Sequence, residues 1–103
     1  MFYTFTTSDK SFTKNMSLKK NEEISIFNVC LGELLREIRI KDMGIKNQRD
    51  LSRLIGISQP SISKAESGET TVTVYLLYKY CDLAGIDHKE AIVRLDNILN
   101  ERK

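Results

Sequence analysis

Four glycines, Gly44, Gly56, Gly68 and Gly85, cut the chain beyond residue 24 into short segments, and this spacing limits the fold more than any other feature. Shortly after each stands a residue suited to start a helix: Asn47, Ser58, Thr73 and Asp87. A glycine closes a helix by adopting the left-handed conformation, and a short polar side chain opens one by accepting a free backbone N–H. Between these signals the apolar residues recur at intervals of three and four, the period of a helix face. The pattern predicts helix one from Ser25 with Phe27, Leu31, Leu34, Leu35 and Ile38 inward, ended by Asp42-Met43-Gly44. Helix two then presents Leu51, Leu54 and Ile55, and helix three, with Pro60 in its first turn, presents Ile62 and Ala65. Val74, Leu77, Cys81 and Ala84 mark helix four, and Ala91, Ile92, Leu95, Ile98 and Leu99 mark helix five behind an Asp87-x-x-Glu90 capping box. The expected fold class is all-α: a compact five-helix domain whose second and third helices are joined by a tight glycine turn.

The 103 residues suffice for one core. Sixteen Lys and Arg against fourteen Asp and Glu leave a net charge of +2, which argues against a polycation that coats nucleic acid or an acidic membrane. No apolar run approaches the roughly 20 residues of a membrane helix. Residues 1–20 lack the apolar centre of a secretion signal, so a cytoplasmic location is expected. Cys30 and Cys81 stand far apart without a CxxC, and His88 is the single histidine, so neither a metal nor a cofactor is expected. Both cysteines are expected as buried thiols, and His88 as a solvated first-turn residue. Residues 1–23 form an N-terminal extension in which 2–7 suit one short strand and 8–23 read as a linker; Met16 is a possible alternative start. Residues 24–86 make the core domain, and 87–103 a C-terminal helix with an apolar stripe suited to a dimer seam.

The segment from Gln48 to Gly68 carries the functional signal. Two helices crossing steeply through a tight turn require apolar anchors on both sides, a small residue where they touch and a glycine between them. Leu51, Ile55, Ile62 and Ala65 are the anchors, Ser52 the small residue and Gly56 the turn. The N-terminal turn of the second helix then projects Gln59, Pro60, Ser63 and Lys64, as reading base edges in a DNA major groove requires.

From Leu31 to Ile86 these residues resemble the Cro and phage-repressor type of helix-turn-helix regulators, the λ-repressor-like fold. The centre of the likeness is the run from Gln48 through Leu51, Ser52, Gly56, Ser58, Gln59, Ile62, Ser63 and Glu66-x-Gly68. The resemblance implies DNA base contacts from Gln59, Pro60, Ser63 and Lys64, with the Gln59 amide suited to adenine. It implies DNA phosphate contacts from Gln48, Ser61, Ser67, Thr70 and Thr71, with Gln48 also bracing Gln59. Arg39 and Glu66 resemble a structural ion pair between helices one and three. Arg39 and Gln48 stand further apart than is usual in the family, and Ser52 replaces a commoner alanine, which adds a hydroxyl needing a partner.

Basic residues Arg49, Arg53 and Lys64 within 47–69 are matched by Asp50, Glu66 and Glu69, so one copy presents a modest field. A homodimer reading a palindromic operator, with half-sites one helical turn or about 34 Å apart, doubles the contacts. The leading expectation is a sequence-specific transcriptional regulator acting on double-stranded DNA, a repressor. The alternative is an antitoxin or similar interaction module of the same fold, binding a toxin or other protein partner through the 2–7 strand or helix five. Ser61-Ile62-Ser63-Lys64 matches the SxxK of some acyl-serine enzymes, but no companion motif accompanies it and no enzyme is expected. Tyr75, Tyr78 and Tyr80 are read as packing on the core or on a subunit partner rather than stacking on nucleotides.

Overall fold

The computed structural model describes residues 20–102. Five α-helices follow in order: α1 (Lys20–Glu37), α2 (Gln48–Ile55), α3 (Gln59–Ser67), α4 (Val74–Ala84) and α5 (His88–Glu101). No strand occurs among the described residues. The expected strand at 2–7 and the Asn15-Met16-Ser17 sequon lie outside them. Helix α1 begins at Lys20, inside the stretch read as linker. Among the described residues no helix is long and apolar enough to cross a membrane.

Each helix after α1 starts at the expected cap. Asn47, Ser58, Thr73 and Asp87 accept the backbone N–H of Asp50, Ser61, Leu76 and Lys89 respectively. Between α1 and α2 the chain does not simply stop. Ile38–Asp42 widens into one π-helical turn, with the Met43 amide donating to the Ile38 carbonyl at 2.9 Å. A π turn absorbs extra residues without breaking the helix. The long Arg39–Gln48 spacing is therefore taken up locally, and Ile38 and Arg39 remain buried.

The core joins Cys30, Leu31, Leu34, Leu35 and Ile38 of α1 to Leu51, Ile62, Ala65, Leu76, Tyr80, Cys81, Ala91 and Leu95. Both cysteines are free and buried, and burial pushes both thiols above their ordinary value. Several expected inward residues face outward. Leu54 is 61 % exposed, because the short α2 turns its Leu51–Ile55 edge to the core and Leu54 lies about 100° round from Ile55. Val74 is exposed because the buried line of α4 runs through Leu76, Tyr80 and Cys81. Phe27 precedes the first core turn of α1, where burial begins at Asn28, and Ile92 stands one face away from Ala91 and Leu95. Tyr80 is fully buried, whereas Tyr75 and Tyr78 are exposed. His88 is not simply solvated: its half-buried ring stacks on Tyr78 with centroids 3.8 Å apart.

Two further ties were not legible in the sequence pattern. Arg94 of α5 donates to both Asp42 oxygens, at 3.0 and 3.1 Å, and to Glu37 at 3.0 Å, fastening the last helix to the π turn. Gly32 lets α1 lie directly on the end of α3: a Cβ there would stand 2.5 Å from the Glu66 carbonyl oxygen and 2.7 Å from that of Ala65. Mid-helix glycine costs about 0.5–1 kcal/mol relative to alanine, so its presence reflects this close approach.

Gly32→Ala is therefore expected to lower stability by about 1–3 kcal/mol, because backbone lies on both sides of the new methyl. Gly56→Ala, with open space but φ at 71°, is expected to lose about 1–2 kcal/mol. Urea unfolding separates the mechanisms: asparagine restores much of the loss at Gly56, where it tolerates the left-handed conformation, and deepens it at Gly32.

Candidate nucleic-acid interface

Helices α2 and α3 and the turn between them form the candidate surface. Gly56 is left-handed at φ 71° and ψ 22°, and its amide closes α2 on the Ser52 carbonyl at 2.9 Å. The Ser52 hydroxyl donates to the Ile57 carbonyl at 2.6 Å, so the group that needed a partner pins the outgoing strand of the turn. Ser58 receives the Ser61 amide at 3.3 Å and donates to the Ser61 hydroxyl at 2.8 Å. Pro60 sits in the first turn of α3, where it forfeits no helical hydrogen bond.

This geometry leaves Gln59, Pro60, Ser61 and Lys64 exposed along one end and side of α3, with Ser63 half-buried. Thr70 and Thr71 are exposed just beyond the helix. Ser67 is also exposed, but its hydroxyl is engaged with the Lys64 carbonyl at 3.1 Å and with the Glu69 carboxylate at 3.0 Å.

Behind the exposed row lies a buried polar relay. Arg39 Nε and Nη2 donate to Glu66 Oε2 and Oε1 at 2.9 and 2.8 Å, a two-pronged contact between the π turn and α3. Arg39 Nη1 donates to the carbonyls of Ile45 and Lys46 at 3.1 and 2.7 Å, so the same guanidinium holds the loop leading to α2. The Tyr80 hydroxyl donates to Glu66 Oε2 at 2.8 Å, and Gln48 Nε2 donates to Oε1 at 3.0 Å. Gln59 Nε2 in turn donates to Gln48 Oε1 at 2.9 Å. Three helices and the π turn thus meet on one carboxylate.

Burial pushes the Glu66 carboxyl up, but the hydrogen bonds from Arg39, Gln48 and Tyr80 outweigh it and hold the group below its ordinary 4.5. The Glu66 contact raises Arg39, and burial followed by the Glu66 charge pushes the Tyr80 phenol far up. At neutral pH the site accordingly holds a carboxylate, a guanidinium and a neutral phenol.

Beside the relay opens a polar groove of about 640 Å³ lined by Lys46, Asn47, Gln48, Arg49, Arg53 and Gln59 among others. Its basic lip at the N-terminal end of α2 was not singled out from the sequence, where Arg49 and Arg53 were offset by nearby acids. Only Asp50 shares the lip, 4.0 Å from Arg53; Glu66 faces the interior. The role of Tyr80 was also missed, since a tyrosine at helical spacing carries no signal for a particular acid partner.

A family model described as helix-turn-helix matches residues 35–90, more than half of the chain. The chain belongs to the Cro/C1-type helix-turn-helix family. Neither curated proteins nor solved structures give a match. The matched span of this helix-turn-helix domain runs from the middle of α1 to the first turn of α5, and so contains the whole relay. Membership makes this a DNA-binding regulator domain.

Linkage gives the relay a pH signature. A carboxyl lowered on folding contributes stability that is present above its unfolded value and lost as pH falls through the folded value. The wild-type chain is therefore expected to lose stability progressively between about pH 5 and pH 2. Arg39→Leu, which strands a buried carboxylate, is expected to cost about 3–5 kcal/mol at pH 7 and to flatten that acid limb. Urea unfolding followed by circular dichroism across this range tests both; an acid limb as steep in the variant as in the wild type would count against the assignment.

Proposed function

We infer that the protein is a sequence-specific transcriptional repressor of the cytoplasm that binds a palindromic operator as a homodimer. The reading rests above all on the hydrogen bond between Gln59 and Gln48, which braces an otherwise exposed amide at the leading end of α3. An exposed side chain held by its neighbours meets a base edge with little loss of rotamer freedom.

In this reading α3 enters the major groove, and Gln59, Pro60, Ser63 and Lys64 face the bases. Gln59 pairs through its amide with adenine, and Lys64 reaches a guanine edge or an adjoining phosphate. Gln48, Ser61, Thr70 and Thr71 contact phosphates, joined by Lys46, Arg49 and Arg53 on the lip of α2. Ser67 is left out of the set, because the Glu69 carboxylate 3.0 Å from its hydroxyl repels a phosphate. The Arg39–Glu66 pair keeps α3 at a set angle to the body of the domain. A second subunit doubles a charge that is small in one copy. The exposed apolar side chains of α4 and α5, Tyr75, Tyr78, Ile92 and Val93, support a seam on that face.

Gel shifts against the chain's own upstream region are expected to show saturable, sequence-dependent binding. Gln59→Ala should cost about 1–3 kcal/mol, confined to one base position of each half-site. Unchanged specific binding in both Gln59→Ala and Lys64→Ala would refute the recognition assignment. Equilibrium sedimentation at micromolar concentration is expected to give a dimer that Ile92→Asp dissociates; a wild-type monomer throughout would exclude the paired reading.

A further inference from the structure

We propose that Glu66 is a specificity-determining positioning residue: acting through Gln48, it sets which way the Gln59 amide faces, and so makes α3 select adenine over guanine. The inference rests on the DNA-reading surface assigned above and extends it to a buried residue that touches no base.

The argument follows from which atoms can donate. An ionised carboxylate only accepts hydrogen bonds, whereas an amide carries an acceptor at one end and a donor at the other. Glu66 Oε1, 3.0 Å from the Gln48 side chain, therefore obliges Gln48 to turn its NH2 inward. The outward end of Gln48 is then a carbonyl, which accepts only. Gln59, 2.9 Å away, must in turn give it an N–H. Each amide is left one orientation, and the reversed arrangement would set carbonyl oxygen against carboxylate and NH2 against NH2. The first link is also anchored: Arg39 grips both carboxylate oxygens and Tyr80 holds Oε2, so Glu66 cannot rotate to relax the constraint.

What remains on Gln59 is its carbonyl oxygen and one N–H, an acceptor beside a donor. Adenine offers the complement in the major groove, a donor at N6 and an acceptor at N7. Guanine offers acceptors at both O6 and N7, and would place O6 against the Gln59 carbonyl. An unbraced glutamine can flip its amide to suit either purine, so the relay converts a tolerant side chain into a selective one.

Binding selection from a randomised duplex library reads this directly, using the full-length chain and its variants at saturating protein. Wild type is expected to favour adenine over guanine by at least about tenfold at one position per half-site, a preference that Gln59→Ala abolishes. Gln48→Leu breaks the relay while leaving the Arg39–Glu66 contact intact. It is expected to bring the adenine-to-guanine ratio at that position close to one, with preferences elsewhere unchanged. Glu66→Gln introduces a donor at the head of the relay and is expected to erode the same preference. Tyr80→Phe, which strips a bond from Oε2 and leaves Oε1 in place, is expected to keep it. Should Glu66→Gln not fold, Gln48→Leu decides alone.

An adenine preference that survives in Gln48→Leu overturns the proposal while leaving the DNA-reading surface standing. So does a loss of preference at every position alike, which marks a general structural effect. A wild-type chain that enriches no sequence overturns both the surface assignment and the relay built on it.

Discussion

A single buried carboxylate organises this domain. Glu66 is 7 % exposed and accepts from Arg39, Tyr80 and Gln48, which arrive from the π turn, α4 and the start of α2. Taking an ion out of water carries a penalty of several kcal/mol, and only a near-complete set of donors offsets it. The carboxylate therefore tolerates little change in the positions of the segments around it. An apolar cluster of the same volume could supply comparable stability, but it would allow α2 and α3 to slide. A directional ionic hub resists sliding, and the crossing of those two helices is what a helix-turn-helix has to preserve.

The backbone is arranged to let that hub form. The π turn at Ile38–Asp42 absorbs the long connection into α2 without rotating Arg39 away from the interior. Gly32 brings α1 against the carbonyls of Ala65 and Glu66, so the residue bearing the carboxylate is clamped from its backbone side as well. Gly68 ends α3 in the left-handed conformation, where a Cβ would stand 2.8 Å from Val29 Cα. The rigid side of α3 is thus turned toward the domain, and its exposed end carries the side chains assigned to DNA.

Legibility in the sequence followed the range of the interactions. Caps at Asn47, Ser58, Thr73 and Asp87 act within one helical turn, and all four appear where the sequence puts them. Anchors such as Leu51, Ile62 and Ala65 were also readable, because a helix that crosses another steeply buries a narrow stripe. Leu54, Val74 and Ile92 were misread inward because periodicity locates an apolar face without saying how wide a face the neighbours cover. Arg94 with Asp42, and Tyr80 with Glu66, join residues remote in sequence, where no local spacing signals the pairing.

The sequence by itself determined the helical segmentation, the cap at each start and the glycine turn between α2 and α3, since these depend on backbone conformations that particular residues favour locally. It also marked Gln48 and Gln59 as neighbours in function through likeness to a family. Only the tertiary structure decided which donors converge on Glu66, how the extra residues before α2 are absorbed, and in which sense the Gln48 and Gln59 amides run. Those outcomes depend on distances between helices, and a carboxylate imposes an orientation on an amide only when folding brings them within a hydrogen bond's length.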